Sequence, residues 1–537
     1  MSGGPENTEW PFMPLPISLL AIHPNLVKDG YAGGDGYHPC PLGGEALAQS
    51  VPLDWFAETT EPVGERRLII LMGQESIDAY LGRQIGAMRE ALASLVEIPS
   101  FRTQAQNGAP YGTGLDAALH RGAQLAAALG LRTRTVEDVM VEADLGEGDE
   151  PRLGILCHLD VVPEGTGWTV PPYSLTRRDG RLYGRGTIDD KGPAVASLFA
   201  LGALHALQIP LAAPVRLLLG SDEENGSSDL ALYRSKRKMP PMLFTPDGDY
   251  PIINIEKGML RASFGAAYRQ AGDRRILWLR AGKAANAVPG QAEACLSGIS
   301  QQEVEEAARA FSSAISFSFR EQSGELHLLA NGRGAHASTP EQGENALTGL
   351  IQLLCALPGL EQDGLQRLLQ ALGQLFPHGE TDGKSAGLSC REPESGALTL
   401  ALSVLQCCED TLEGTVDIRF PLCETLSGVT QKLSQALTDQ GFSFKNTMGS
   451  EPHMVPKDSP FVQTLLEVYS QQTGLPGYCI AIGGGTYVHG IPGGVAFGAM
   501  FPGEENNMHG ADEFITEENL LRNAKMIAHA VLALCGK

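Results

Sequence analysis

The sequence is poor in cysteine, has fewer basic than acidic residues, and lacks a long apolar run. Ten cysteines in 537 residues, with no C-x-x-C pair, are too few for a disulfide scaffold and are typical of a reducing cytosol. The formal net charge of −23 disfavours nucleic-acid binding, which needs basic residues to neutralise phosphates. No apolar stretch approaches the ~18 residues of a membrane span, and the N-terminus lacks a secretory signal pattern. We therefore expect a cytoplasmic protein without nucleic-acid or membrane partners.

The composition of the chain is otherwise that of a globular protein, since hydrophobic residues make up 43% of it. Residues 1–72 differ from the rest, because they are rich in glycine and proline and show no sustained periodicity. We predict that they form a poorly ordered N-terminal extension, unless the chain properly begins at Met72. From Ser76 onward, apolar residues recur at helical spacing.

The fold class follows from the order of the predicted elements. Apolar strands over 152–157 and 215–219 flank a helix that has Pro193 in its first turn. This βαβ order predicts an α/β domain with a mostly parallel sheet. Short strands and helices alternate in the middle of the chain, which predicts an inserted α+β domain. The predicted division is 1–72, 73–258, 259–448 for the insert, and 449–537 for the second part of the main domain.

Acidic residues and histidines cluster at five breaks in this pattern. His158 ends a predicted strand, and Asp160 could hydrogen-bond its far ring nitrogen. Taken singly, each motif also fits a surface pair, a helix N-cap or a solvated turn. Together they place metal-type ligands at the carboxyl ends of strands, where open α/β sheets bind ligands. The other four motifs are Asp189-Asp190, Asp222-Glu223-Glu224, Asp247-Gly248-Asp249 and His509-Gly510-Ala511-Asp512-Glu513.

These motifs resemble the dinuclear zinc metallopeptidase family of aminoacylases, carnosinases and desuccinylases, and most closely its PepV-type dipeptidase branch. The resemblance covers about residues 75–537, and its motifs occur in the family's order. It makes the two-part domain the catalytic domain and the insert a lid. Besides the five acidic and histidine motifs, it rests on Gly184-Arg185-Gly186, Glu256-Lys257-Gly258, Gly334-Ala335-His336-Ala337-Ser338 and Gly483-Gly484-Gly485-Thr486-Tyr487.

The resemblance implies two bound Zn²⁺ ions, with Mn²⁺ as a possible replacement because three of the five ligands are carboxylates. One metal would be held by His158 and Asp247 and the other by Glu224 and His509, with Asp189 shared between them. Two further catalytic residues are implied beside these ligands. They are Asp160, which would orient His158, and Glu223, which would be the general base for a water that bridges the metals.

The resemblance also assigns roles in and near the lid. His336 would stabilise the transition state, and Asn286 and Arg419 would bind substrate. The glycine-rich turn that contains Gly484 and Thr486 would hold the substrate carboxylate through backbone amides. Because the insert is as large as in PepV-type dipeptidases, which complete their site within one chain, we expect a monomer.

The function implied by the resemblance is that of a dipeptidase that hydrolyses short peptides with a free C-terminal carboxylate. An N-acyl amino acid deacylase or desuccinylase would use the same chemistry on another substrate. A metal-dead binding protein is the alternative of another class, and the complete ligand set argues against it.

Overall fold

The computed structural model describes residues 63–537 except 107, 271, 310–313 and 361–363. Most of the predicted extension, residues 1–62, lies outside the described residues. The first helix begins at Val63, earlier than the helical periodicity predicts. In the described part of the chain the helices are α1 Val63–Val96, α2 Thr113–Ala128, α3 Lys191–Ala206, α4 Ser228–Lys236, α5 Gln301–Arg309, α6 Ala346–Cys355, α7 Gly364–Leu375, α8 Leu426–Asp439, α9 Pro460–Thr473 and α10 Glu517–Cys535.

The strands divide between two large sheets and three small ones. In chain order they are β1 Arg132–Val136, β2 Met140–Leu145, β3 Leu153–His158, β4 Thr176–Arg178, β5 Arg181–Tyr183, β6 Val215–Gly220, β7 Met242–Thr245, β8 Ile252–Glu256, β9 Gly258–Ala267, β10 Arg275–Ala281, β11 Ala287–Val288, β12 Gln291–Ser297, β13 Ser316–Gln322, β14 Glu325–Asn331, β15 Ala335–His336, β16 Arg391–Glu392, β17 Gly396–Ala397, β18 Thr399–Cys408, β19 Thr411–Phe420, β20 Ser443–Ser450, β21 His453–Met454, β22 Cys479–Ile482, β23 Gly494–Ala496 and β24 Phe514–Thr516.

The first large sheet is parallel in its centre and mixed towards its edges. Strands β6, β3, β7 and β23 run parallel to their neighbours in that order. On one side β2 and β1 are antiparallel additions, and on the other β8 is antiparallel to β23. The α/β class with an inserted α+β unit is therefore confirmed. The sheet is mixed, because its central strands and the pair β22 and β8 are parallel and its other pairs are antiparallel.

Burial on both faces explains why the central strands are apolar at almost every position. Ile155 and Cys157 of β3 pack in the cluster that contains α1, α3, α9 and α10, whereas Leu156 faces the opposite side. Helix α3 is buried nearly throughout, from Lys191 to Leu204, so it has no polar face. Cys157 is thus a core residue, as the strand alternation predicts, and it points away from the site.

The second large sheet has eight antiparallel strands in the order β13-β14-β12-β10-β18-β19-β9-β20. Helices α6, α7 and α8 pack on one of its faces in a separate hydrophobic cluster. Its strands run from Gly258 to Ser450, within the chain segment that separates β8 from β21. This sheet occupies the segment predicted as the insert, 259–448, and we call it the lid; the division into domains stays a prediction. No helix of the described residues is both long and apolar enough to cross a membrane.

Candidate metal centre

Three adjacent parallel strands deliver most of the predicted ligands to one edge of the first sheet. His158 is the last residue of β3, and Asp247 lies two residues after β7. Glu223 and Glu224 form a 3₁₀ turn shortly after β6. Because β6, β3 and β7 are neighbours that run the same way, the residues after them converge at their carboxyl ends.

A single carboxylate connects the two halves of the site. Asp189 precedes α3, and its Oδ1 lies 3.0 Å from Nε2 of His158 while its Oδ2 lies 2.7 Å from Nε2 of His509. On one side, Asp247 Oδ2 is 3.6 Å from the same His158 nitrogen. On the other side, Glu224 Oε1 is 3.3 Å from His509 Nε2. The structure thus brings all five predicted metal ligands together.

The site contains two groups of side chains that can each hold a metal ion. The first is His158, Glu223 and Asp247, and the second is Asp189, Glu224 and His509; within each group the ligand atoms lie within 4.8 Å of one another. The sequence analysis places Glu223 beside the ligands as a base, and the structure puts its carboxylate within ligand distance of the first group.

Two buried polar atoms support the fit of these residues to a pair of cations. Nε2 of His158 and Oε1 of Glu224 are buried, and neither makes a well-aligned hydrogen bond, although charged side chains of the site lie 3.0 and 3.3 Å away. Such atoms are costly unless an ion or another group satisfies them. The donor set of imidazole nitrogens and carboxylate oxygens suits zinc or manganese.

The pKa values of these side chains indicate that the site contains more negative than positive charge. The carboxylates of Asp189 and Glu224, which face its ring, raise the pKa of His509 to about 11. Burial opposes the charged form of His158, but the carboxylates around it raise its pKa well above the ordinary value. Burial also raises the pKa of Glu223 well above its usual range, and the charge of Asp247 adds to this effect. A cation would relieve this crowding of carboxylates.

Asp160 holds the turn after β6 rather than acting on His158 alone. Its carboxylate accepts hydrogen bonds from the backbone amides of Glu223 at 3.2 Å and Glu224 at 3.0 Å. Nδ1 of His158 lies 3.0 Å from the backbone carbonyl of Asp160 and 3.3 Å from its Oδ1. The expected side-chain contact is therefore present, but the backbone carbonyl is the closer partner because Asp160 lies beyond the end of β3.

Glu513 is a supporting residue to which the sequence analysis assigns no role. Its buried carboxylate accepts hydrogen bonds from Arg185 at 2.6 Å and from the amides of Gly186, Ile188 and Asp189 at 3.0 to 3.3 Å. It therefore shapes the loop that presents Asp189. Its place in the His509 motif was the available signal, but only the fold shows which loop it contacts.

The lid places His336 and Asn286 on a two-stranded ribbon. His336 in β15 pairs with Ala287 in β11, and the carbonyl of Asn286 accepts a hydrogen bond from Ala337 at 2.8 Å. The Ser338 amide donates to Nδ1 of His336 at 3.2 Å. Because Nδ1 accepts, the neutral ring carries its proton on Nε2, where it can donate to a ligand.

Arg419 is buried and connects the lid with the glycine-rich turn. Its Nε and Nη2 donate to Asp417 at 2.6 and 3.1 Å, and its Nη1 donates to the carbonyl of Gly483 at 2.9 Å. Two of its three donor nitrogens are thus occupied by Asp417, whereas the sequence analysis predicts that Arg419 binds substrate.

The carboxylate of Glu256 holds the glycine-rich turn through hydrogen bonds. Thr486 donates to Glu256 through its amide at 3.1 Å and its hydroxyl at 2.6 Å, and His489 Nδ1 lies 2.7 Å from the same carboxylate. A side chain at Gly484 would meet open space. The backbone amide of Gly484 makes no hydrogen bond to any described residue, so it is available to a ligand.

The chain is similar to bacterial proteins with dipeptidase names. The Bacillus subtilis (strain 168) protein named "Putative dipeptidase YtjP" is 36% identical over 445 residues, which cover 80% of this chain and 93% of that protein. The Beta-Ala-Xaa dipeptidase of Lactobacillus delbrueckii subsp. lactis is 32% identical over 441 residues, which cover 79% of this chain and 90% of the relative.

Solved structures share the fold at low identity. Human carnosine dipeptidase 1 matches with a TM-score of 0.52 and 16% identity, over 86% of this chain and 99% of that chain. The dipeptidase Dug1p of Saccharomyces cerevisiae matches with a TM-score of 0.53 and 10% identity, over 86% of this chain and 98% of that one. A family model described as Peptidase family M20/M25/M40 matches residues 154–533. The resemblance seen in the sequence is therefore confirmed, and the chain belongs to the M20/M25/M40 peptidase family.

Proposed function

We propose that this protein is a metal-dependent dipeptidase that hydrolyses the amide bond of short peptides with a free C-terminal carboxylate. The observation that carries the proposal is the position of Asp189, whose two carboxylate oxygens face the histidines of two neighbouring ligand groups. The dipeptidase names of the two bacterial relatives support the choice of substrate class.

Two divalent cations, zinc in our proposal, would be held by the five ligands of the metal centre. When bound, they supply a water molecule of lowered pKa and polarise the scissile carbonyl. On one side of the site, His158 is buried. On the other side, the side chain of His509 is 51% exposed. Substrate would therefore approach from the side of His509.

Glu223 would take the proton of the attacking water and pass it to the leaving amine. Its backbone is held by Asp160, so the carboxylate has a defined position. A carboxylate beside the attacking water is a suitable general base, and the cations would keep Glu223 ionised by offsetting the charge of the neighbouring carboxylates. Glu224, the next residue, is bound to His509 and serves as a ligand, so the adjacent glutamates divide the two tasks.

His336 would donate from Nε2 to the oxygen that gains charge during attack. One such donor is worth roughly 3 kcal/mol in the transition state. Ser338 holds the ring by donating to Nδ1, and its side chain packs close to Gly483 in the glycine-rich turn. This contact brings the lid donor to the turn that would receive the substrate.

The substrate carboxylate would be bound by the Gly484 amide and by groups of the same turn. In this proposal Arg419 positions the turn through Gly483 and places a positive charge beside the carboxylate. Asn286, exposed on the lid ribbon, would contact the substrate backbone, and Thr486 would keep the turn attached to Glu256.

We also propose that the protein is monomeric and cytoplasmic. The lid of this chain reaches its own glycine-rich turn through Arg419 and Ser338, so a partner subunit is not required to bring His336 near the site. The cysteines among the described residues are free thiols, which suits a reducing compartment. Sedimentation that shows a stable dimer would contradict the monomer.

The test compares dipeptides with their N-acetylated forms, using zinc-loaded protein. We expect hydrolysis of free dipeptides and little turnover of the acetylated ones. A strong preference for acylated amino acids would replace the dipeptidase with a deacylase. Absence of all hydrolysis, in protein that holds two metals, would favour a binding protein.

A further inference from the structure

A third group of metal-type side chains lies on the lid sheet, apart from the ligands of the metal centre. Cys295 in β12 and His327 in β14 are direct partners in the antiparallel ladder. Glu325 precedes His327 by two residues, so both side chains project from the same face of the strand. Their neighbours Leu326, Leu328 and Ala294 point into the core under the lid helices. The three polar side chains therefore share the opposite face.

The separations within this group are those of ligands around one small cation. Sγ of Cys295 lies 3.5 Å from Oε2 of Glu325 and 3.9 Å from Nε2 of His327. One ligand atom from each residue lies within 4.8 Å of the other two. In a tetrahedral zinc site with Zn–S of about 2.3 Å and Zn–N of about 2.0 Å, ligand atoms are roughly 3.5 Å apart. Small side-chain adjustments would close the remaining difference.

The thiol of this group is buried, whereas solvent can reach the other two side chains. Cys295 is fully buried, whereas His327 and Glu325 are partly exposed. Trp278, the ladder partner of Cys295 on β10, stands with its ring 5.9 Å from the His327 ring. A groove of about 200 Å³, lined in part by Trp278, His327 and Arg320, opens beside the group.

We propose that Cys295, His327 and Glu325 form a zinc site on the outer face of the lid sheet, with solvent as the fourth ligand. The thiol now donates to the Glu325 carboxylate, and zinc binding would release that proton to solvent. Thiolate and carboxylate together would neutralise the dication. A thiolate with an imidazole favours zinc over magnesium, calcium or manganese.

The position of this site indicates a structural role. Strand β12 follows β11, and strand β14 precedes β15. The pair β11 and β15 carries His336. A metal that links β12 to β14 would therefore stabilise the base of the ribbon that presents the lid histidine.

Cobalt titration of the full chain, after metal removal with a chelator, tests the proposal. The residues of the metal centre offer only nitrogen and oxygen ligands, so a thiolate-to-cobalt charge-transfer band in the near ultraviolet reports the lid site alone. We expect this band in the wild-type protein and its loss in Cys295→Ser. Zinc content should fall by about one ion per chain in that variant.

Two thiols serve as controls for Cys295. Cys408 is exposed on β18 of the same sheet, and Cys423 is exposed beyond β19; Cys408→Ser and Cys423→Ser should both keep the band. If Cys295→Ser does not fold, His327→Gln provides the second variant and should weaken cobalt binding at least tenfold. A wild-type protein without the band, a band that survives Cys295→Ser, or a band that disappears in Cys408→Ser or Cys423→Ser would overturn the proposal. These readouts do not depend on activity, so they distinguish this site from the proposed metal centre.

Discussion

The guanidinium of Arg419 in the lid donates a hydrogen bond of 2.9 Å to the backbone carbonyl of Gly483 in the glycine-rich turn. The same guanidinium is held by Asp417, which is fully buried and also accepts from Arg261 at 2.8 Å. The lid therefore contacts the proposed substrate-binding turn through a side chain with little freedom to move. A change in the position of the lid would therefore change the shape of the glycine-rich turn.

We expect Arg419→Lys to raise KM for dipeptides about tenfold, because lysine cannot bond to Asp417 and Gly483 with the same planar geometry. Steady-state kinetics measure the change. Arg280→Lys is the matched control, since Arg280 makes a similar forked pair with Glu293 but is exposed on the lid sheet. An unchanged KM in Arg419→Lys would remove Arg419 from the proposed binding site.

Glu223→Gln should lower kcat by about 10² to 10⁴, because glutamine cannot accept the proton of the attacking water. Metal content should stay at the wild-type level, since the five ligands are intact, and elemental analysis checks this. Glu90→Gln, at an exposed position of α1, is the control and should behave as wild type. Turnover that survives Glu223→Gln would show that another group acts as the base.

Glu513→Gln should destabilise the protein by about 3 kcal/mol, because it removes the negative charge that compensates the buried Arg185 and weakens the loop before Asp189. Glu517→Gln is the matched control. Its carboxylate pairs with Arg89 and Arg177, which are partly exposed, so we expect a cost of about 1 kcal/mol or less. Denaturant unfolding measures both, and equal effects would contradict the special position of Glu513.

Removal of metal should abolish hydrolysis and lower the melting temperature. The carboxylates of the centre repel one another without cations, and a ligand present at a thousand times its Kd adds about 4 kcal/mol to the free energy of unfolding. Zinc or manganese should restore both properties after chelation, as followed by calorimetry and dipeptide hydrolysis. Full activity in metal-free protein would contradict the proposed chemistry.

His336 should titrate below the ordinary histidine value of 6.5. Burial lowers its pKa, and the positive charge of Arg419 lowers it further. Because the folded-state pKa is depressed, the ring stays neutral at neutral pH and is protonated only as the pH falls below 6.5. NMR titration of the ring protons, assigned with His336→Ala, measures this value. A pKa above 6.5 would contradict this prediction.

The ligand set could be read from the sequence because each member belongs to a short motif in a turn. His158, Glu224 and Asp247 follow apolar strands, and parallel strands place their carboxyl ends together. The role of Glu513 could not be read in this way. Its partners are the loop of Arg185 to Asp189, more than 300 residues earlier in the chain, and nothing local to Glu513 indicates that contact.

The sequence by itself determined the α/β class, because that class follows from local periodicity. It also determined the family and the residues expected at the proposed metal centre, because its motifs resemble those of the family. The tertiary structure decided which polar groups already have hydrogen-bond partners within the protein. Asp417 takes the fork of Arg419, Glu256 takes Thr486, and strand register alone brings Cys295 to His327. Contacts of this kind depend on the packing of distant segments, so no local pattern in the chain specifies them.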